Sequence, residues 1–334
     1  MRNGIRNGPL QTMKRIKGRT TRGEVSPDQL QNPLLFHTNL FSTGRFPALC
    51  LLSFLPAFFL FSCIADRAEQ ETEKQENTIT VLSTRTPMND AVSSLHVFVY
   101  NDDSLQRLDS YQRFDTRDIN RLQCTSRTGK KIFAAIANMD VSDIDWTEIS
   151  SFESLSKLMS EFKEEDPEHP VMTSVTEAIA GGPLPVPINL ERLLSNIRIK
   201  SIICDFKGRE YEGAGIKNAR AYIININGRC ELFRQEDFRP TEMVNYHEKE
   251  TFPHPEMVEA EIGNIGEKGV TPGISLYCYP NDGKDDTVSM PSTRLVIEGE
   301  VNGVKYYWPV NISPSRNFRY DFEFFITRTG TDSP

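Results

Sequence analysis

The side chains able to do chemistry are few in this chain and widely spread. Five histidines occur. His247-Glu248 and His254-Pro255-Glu256 fall in one polar segment and are the right types to ligate a metal, but scattered His and Glu in a polar loop ordinarily act as solvated charge. Six cysteines occur, none in a C-x-x-C pair, which argues against zinc-ribbon and thioredoxin-like chemistry. Cys50 lies in an apolar run. Cys124, Cys204, Cys230 and Cys278 lie in the body of the chain, where three disulfide pairings and four buried thiols are open alternatives. There is no P-loop, no G-x-S-x-G and no H-E-x-x-H, and Gly213-Ala214-Gly215 lacks the strand–helix context and third glycine of a dinucleotide fingerprint. The expectation is a non-enzymatic protein with no catalytic residues, cofactor or metal. A hydrolase on a β scaffold has no nucleophile–base set to recommend it.

One cysteine stands in a different setting. Residues 46–63 (FPALCLLSFLPAFFLFSC) form the only long apolar run, and it follows Arg45. The run ends in Leu60-Phe61-Ser62-Cys63, which resembles a bacterial lipobox, although Phe61 is bulky for its position. Cys63 is therefore expected to carry lipid, palmitate included, with residues 1–62 as the signal and leader region. The rival reading is an uncleaved signal anchor. About 45 residues precede the apolar core, long for a secretory n-region, and a start nearer Arg45 would account for them. Residues 63–76 are charged and carry no aromatic, which reads as a solvated acidic tether between lipid and folded body.

Composition limits the partners. The 334 residues favour two domains. The net charge is -8, and residues 1–62 hold eight Lys/Arg against two Asp/Glu, so the body is more acidic still. An acidic body suits a soluble surface protein and does not suit nucleic acid, whose phosphates require a basic face.

The elements that must position any site are mostly strands. Period-two patterning starts at Thr78, where Ile79 and Val81 alternate with threonines and face one way. Residues 95–100, 131–139, 220–227, 274–279, 293–301, 304–310 and 318–327 read as further strands. In residues 190–206 the apolar positions Ile197 and Ile199 shift phase to Ile202 and Cys204. One helix interrupts: Ser150 and Glu153 read as a capping box, and Phe152, Leu155, Leu158, Met159 and Phe162 follow at helical spacing. Residues 235–273 read as an elaborated loop. Trp146 and Trp308 fall in or near strands and are expected in the core. This layout predicts a mainly β fold of two β-sandwiches joined near residue 192, with the short helix in the N-terminal one (77–192) and the rest (193–334) in the C-terminal one.

Several stretches resemble, in order, the type V fimbrillins, the FimA-like fimbrial subunits. Residues 77–85 (NTITVLSTR) resemble their removable first strand, which ends in arginine. Residues 93–101 (SSLHVFVYN) resemble the first core strand, and 129–139 (GKKIFAAIANM) the strand ending in Ala-Asn. Residues 190–202 (LERLLSNIRIKSI) resemble the opening of the second domain, without its usual alanine. Residues 275–281 (SLYCYPN) resemble the tyrosine-proline-asparagine turn, and 316–330 (RNFRYDFEFFITRTG) the closing strand, with Phe318 in place of histidine.

The resemblance implies transthyretin-like sandwiches, lipoprotein export to the outer membrane and assembly by strand exchange. In that process an arginine-specific protease removes the first strand, and a neighbouring subunit supplies a replacement by β-augmentation. The function so implied is a structural subunit of a cell-surface fimbrium, in a homo- or heteropolymer, contributing to adhesion. The alternative is a non-polymerising surface lipoprotein that binds glycan or host protein. Maturation is expected at Arg85–Thr86, between the strand holding Ile79 and Val81 and a turn at residues 86–90. Arg67 would only shorten the tether, and Arg127 lies between core strands. Phe318, Tyr320, Phe322, Phe324 and Ile326 make one apolar face on the last strand, a candidate donor strand, with an ordinary core strand as the competing reading.

Overall fold

The computed structural model describes residues 76–87, 90–115, 118–141, 144–234, 242–281 and 291–334, together with the backbone of residues 19–21. The rest of the leader, Cys63, the tether up to residue 75 and Arg67 lie outside the described residues. A short strand β1 (Arg19–Thr21) does fall within the stretch assigned to the leader.

Strands β2 (Asn77–Arg85), β3 (Leu95–Asn101), β4 (Leu108–Phe114), β5 (Leu122–Arg127), β6 (Gly129–Ala137), β7 (Met159–Glu161), β8 (Met172–Ala180), β9 (Val186–Asn189) and β10 (Glu191–Arg192) make up the first half. Five of them form an antiparallel sheet in the order β10-β8-β6-β3-β4, and three form a sheet in the order β5-β2-β9. Leu82, Val97, Val99, Leu122, Phe133 and Ile188 fill the space between the two sheets. The opposite face of the five-stranded sheet, with Phe98, Tyr100, Ile132 and Ala134, is also buried, beneath Trp146, Ile149, Leu155 and Phe162. Burial on both faces explains why β3 reads as a continuous apolar run rather than an alternating one.

The second half comprises β11 (Ser195–Cys204), β12 (Ile216–Ile224), β13 (Ile226–Asn227), β14 (Arg229–Glu231), β15 (Met243–Val244), β16 (Glu259–Ile265), β17 (Ile274–Cys278), β18 (Arg294–Val301), β19 (Val304–Asn311) and β20 (Arg319–Ile326). A sheet β1-β20-β11-β17 faces a sheet β16-β12-β18-β19. The register of β11 against β20 slips between Ile199 and Ser201, so the phase shift in the sequence is a β-bulge. Trp146 and Trp308 are buried as expected, and Trp308 donates to the Arg328 carbonyl at 2.9 Å.

The two halves are joined by more than the chain. β7 pairs with β14 across them. Beside this pair Glu165, 1% exposed, accepts from Tyr279 Oη at 2.7 Å and from the Val171 N–H at 3.1 Å, while Tyr279 also bonds Ser160 at 2.8 Å. Arg316 donates to the Leu232 carbonyl at 2.8 Å and pairs with Glu231 at 3.2 Å. Burial pushes the Glu165 carboxyl up to about 7.

Two expectations are corrected. The helix α1 covers only Phe152–Ser156, and its cap is Ser151, whose Oγ accepts from the Ser154 N–H at 3.2 Å. The Ser150 carbonyl is taken by the Leu108 N–H at 2.8 Å, which fixes Ser150 to β4 and moves the cap on by one residue. Met159 belongs to β7, so pairing with β14 overrides the helical spacing. The segment expected as a loop at 235–273 contains β15, two short 3₁₀ turns and the seven-residue β16. The glutamates of β16 disguise it: Glu259 is 8% exposed and stands between Arg220, at 2.7 Å, and Lys249.

Candidate functional site

The chemistry expected of this chain centres on β2. The strand is central in its sheet, antiparallel to β5 along residues 77–82 and parallel to β9 along residues 82–85. Its inward row is Thr80, Leu82 and Thr84, at 3%, 0% and 2% exposure. Ile79 and Val81 share a face, but it is the outer one, where Ile79 is 62% exposed and Val81 half-buried. Alternation in the sequence located the strand and could not say which face the sandwich would cover. Leu82 is the only β2 member of the first sandwich's buried apolar cluster. The inner hydroxyls have unequal fates: Thr80 Oγ1 accepts from the Gly181 N–H at 3.0 Å, whereas Thr84 Oγ1 is buried with no hydrogen-bond partner. Gly181, at φ +77°, brings the β8–β9 turn down onto this end of β2, where a Cβ on it would lie 2.7 Å from Thr78 Oγ1.

Arg85 ends the strand with an exposed side chain. Its carbonyl accepts from the Leu190 N–H at 2.9 Å. A cleft of about 710 Å³ lies alongside, lined by Arg85, Thr86, Asp90, Val92, Ile119 and His169 among others. Downstream the chain is fastened. The Asp90 N–H closes a turn onto the Pro87 carbonyl at 3.0 Å, and the Asp90 carboxylate holds Arg192 through two hydrogen bonds. Asn138, held at φ +61°, donates to the Ala91 carbonyl at 2.9 Å and accepts from the Ser93 N–H at 2.8 Å. A break at Arg85–Thr86 therefore leaves everything from Asp90 onward anchored, while β2 is held by sheet pairing, by Leu82 and by the hydrogen bond from Gly181 to Thr80. Arg127 also exposes its side chain, but its backbone N–H donates to Asp109 at 2.7 Å and only Thr128 separates it from β6.

The last strand has a different environment. β20 pairs in parallel with β11 over eight residue pairs. Phe322, Phe324 and Ile326 are buried in the second sandwich's core at 8%, 8% and 5% exposure. Phe318 and Tyr320 are half-buried, and Tyr320 Oη donates to the Ser313 carbonyl at 3.0 Å. The face expected to be apolar is apolar, and it is in use.

The four body cysteines are free, buried thiols and none is in a disulfide. Burial raises the Cys124 thiol to about 11, so it is protonated and unreactive at neutral pH. Cys124 lies directly across from Thr80 in the β2–β5 ladder, a relation that only the register reveals. The histidine segments serve local structure: Glu248 accepts from the Asn245 N–H at 3.1 Å to cap a 3₁₀ turn, His247 packs tilted against Tyr246, and His254 Nδ1 lies 3.1 Å from Glu256.

No family model matches the chain, and no curated protein matches it in sequence. Solved structures do match in fold. A fimbrilin (FimA) from Porphyromonas gingivalis W83 superposes with a TM-score of 0.54 at 11% identity, covering 77% of this chain and 92% of that one. The tip fimbrial protein Mfa3 of Porphyromonas gingivalis gives 0.50 at 11% identity, covering 77% and 97%. A candidate cell adhesion protein from Bacteroides eggerthii gives 0.54 at 13% identity, covering 78% and 91%. The mainly β fold seen here is the fold of the fimbrillins.

Proposed function

We propose that this chain is a structural subunit of a cell-surface fimbrium, of the type V fimbrillin family, that is exported as an outer-membrane lipoprotein through Cys63 and polymerises by strand exchange. The reading rests chiefly on β2: a central strand that gives the core a single leucine and ends at an exposed arginine, beyond which the chain is pinned. Losing β2 leaves β5 and β9 with unpaired backbone edges and leaves an apolar slot where Leu82 lay. A strand from a neighbouring subunit satisfies both. An arginine-specific protease is the partner that opens the slot at Arg85–Thr86. Adhesion then belongs to the assembled fimbrium, and the two sandwiches correspond to residues 77–192 and 193–334.

The test is to follow maturation on cells. Wild-type protein recovered from the surface should begin at Thr86 and run as SDS-resistant ladders, and Arg85→Ala should be folded, lipidated and monomeric. Normal ladders from Arg85→Ala, or a mature N-terminus elsewhere, would refute the reading. A folded monomer that never polymerises but binds glycan would support the non-polymerising alternative.

A further inference from the structure

The side chains β2 presents to its slot restrict what can replace it. From the geometry we infer that the slot accepts a strand from a different subunit, one whose inward residues read hydroxyl, aliphatic and small apolar at alternate positions, and that it rejects the C-terminal strand of a second copy of this chain. The inference rests on the strand-exchange reading above.

Each position has its own reason. The first holds Thr80, whose Oγ1 receives the Gly181 N–H at 3.0 Å. Thr80 is 3% exposed, so a threonine-sized side chain already fills the site. A hydroxyl satisfies that donor, and an aromatic side chain overfills the site. The second position holds Leu82 at 0% exposure, inside the buried cluster, and needs a branched aliphatic of similar volume. The third holds Thr84 at 2% exposure with its hydroxyl unpaired. A buried hydroxyl without a partner costs free energy that valine or alanine does not incur. β2 is thus a slightly handicapped occupant, so an incoming strand with valine at this position displaces it downhill.

The C-terminal strand fails in every register. One face offers Phe318, Tyr320, Phe322, Phe324, Ile326 and then Arg328, so each register on it brings two or three aromatic rings, or else Arg328, into positions now holding two threonines and a leucine. The other face offers Arg319, Asp321, Glu323 and Phe325, which would bury charge without partners. The tail beyond it supplies Thr327, Thr329 and Thr331, which puts a hydroxyl and a void where Leu82 packs. The neighbour on the slot side is therefore not another copy donating its C-terminus, and the polymer is heteromeric at that joint.

The test uses the full-length chain with a site-specific protease sequence inserted after Arg85, so that the cut does not depend on the natural enzyme. After cleavage, a fluorescent peptide of residues 77–85 is exchanged into the slot and followed by anisotropy. Three unlabelled competitors are compared with the native peptide: the Thr84→Val form, the Thr80→Phe/Thr84→Phe form, and residues 316–334. The expected result is that the valine form competes several-fold better than native. The double phenylalanine form and residues 316–334 should compete roughly 100-fold or more worse, since overpacking costs about 1–3 kcal/mol per site and each 1.4 kcal/mol is tenfold. If residues 316–334 or the phenylalanine form compete within threefold of native, the specificity is wrong while strand exchange stands. If the native peptide itself never enters the cut protein, both fall together.

Discussion

The first and last strands of the folded body differ in what holds them, and the difference separates a part that can leave from a part that cannot. β2 is central in its sheet, yet it gives one side chain to the core, keeps an unpaired buried hydroxyl and ends at an exposed arginine. β20 gives Phe322, Phe324 and Ile326 to the core and runs beside β11 along its whole length. Backbone pairing is much alike in the two; apolar burial is not, since two of the three buried side chains of β2 are threonines. A strand held mainly by its ladder can be traded for another ladder partner of similar side-chain volume, whereas a strand carrying three large apolar side chains takes its sandwich with it.

The sharpest way to break this contrast is at the C-terminus. Deleting residues 316–334 should unfold the second sandwich outright, seen as loss of a cooperative thermal transition. A truncated chain that still melts cooperatively would place β20 with β2 among the removable strands. Short of deletion, Phe322→Ala or Phe324→Ala should each cost about 3–5 kcal/mol in urea denaturation. Neither should speed maleimide labelling of Cys124, whose cover is β2 rather than β20.

The junction between the halves offers a pH test. The Glu165 carboxyl is held near 7 by burial, above its ordinary value of 4.5. The unfolded chain gives up this proton first, so the group's stabilisation is complete below pH 4.5, declines as pH rises towards 7, and is flat above that. The decline is on the order of 3 kcal/mol. Glu165→Gln should remove that slope from the melting profile while leaving Cys124 labelling unchanged. An unaltered slope would mean that another group carries it.

The smallest effect is expected at Gly181. Gly181→Ala demands a side chain at positive φ beside Thr78 and should cost about 1–3 kcal/mol. Because that turn seats β2, the variant should label at Cys124 several-fold faster than wild type. Unchanged labelling would show that the turn does not help to hold the strand.

These contrasts were only partly legible in the sequence. Strands with strong alternation or long apolar runs, such as β3, β6, β18 and β20, stand out because burial selects β-branched and aromatic residues there. β16 does not, because its buried glutamate is neutralised by Arg220, far back in the chain, and by Lys249 from the 3₁₀ turn before it. The α1 stripe misleads in the opposite direction: Met159 is apolar at helical spacing but is claimed by β14, about 70 residues away. At the candidate site, Arg85 and the strand before it were visible, as was the turn after it. The facing of β2 was not, since Ile79 and Val81 are the more apolar row and yet lie outside. The pairing of Thr80 with Cys124 and the orphan hydroxyl of Thr84 exist only once β5 and the five-stranded sheet are in place.

That pairing supplies the most direct measurement of the central claim. Thr80→Cys places a second thiol opposite Cys124, within the separation a disulfide spans between paired strands. Oxidised, the bond staples β2 to β5 even after cleavage at Arg85; reduced, it releases the strand. The account predicts SDS-resistant ladders from the reduced variant and from wild type under either condition, and none from the oxidised variant. Ladders of equal length from the oxidised and reduced variant would contradict it, because polymer would then be forming with β2 still in its slot.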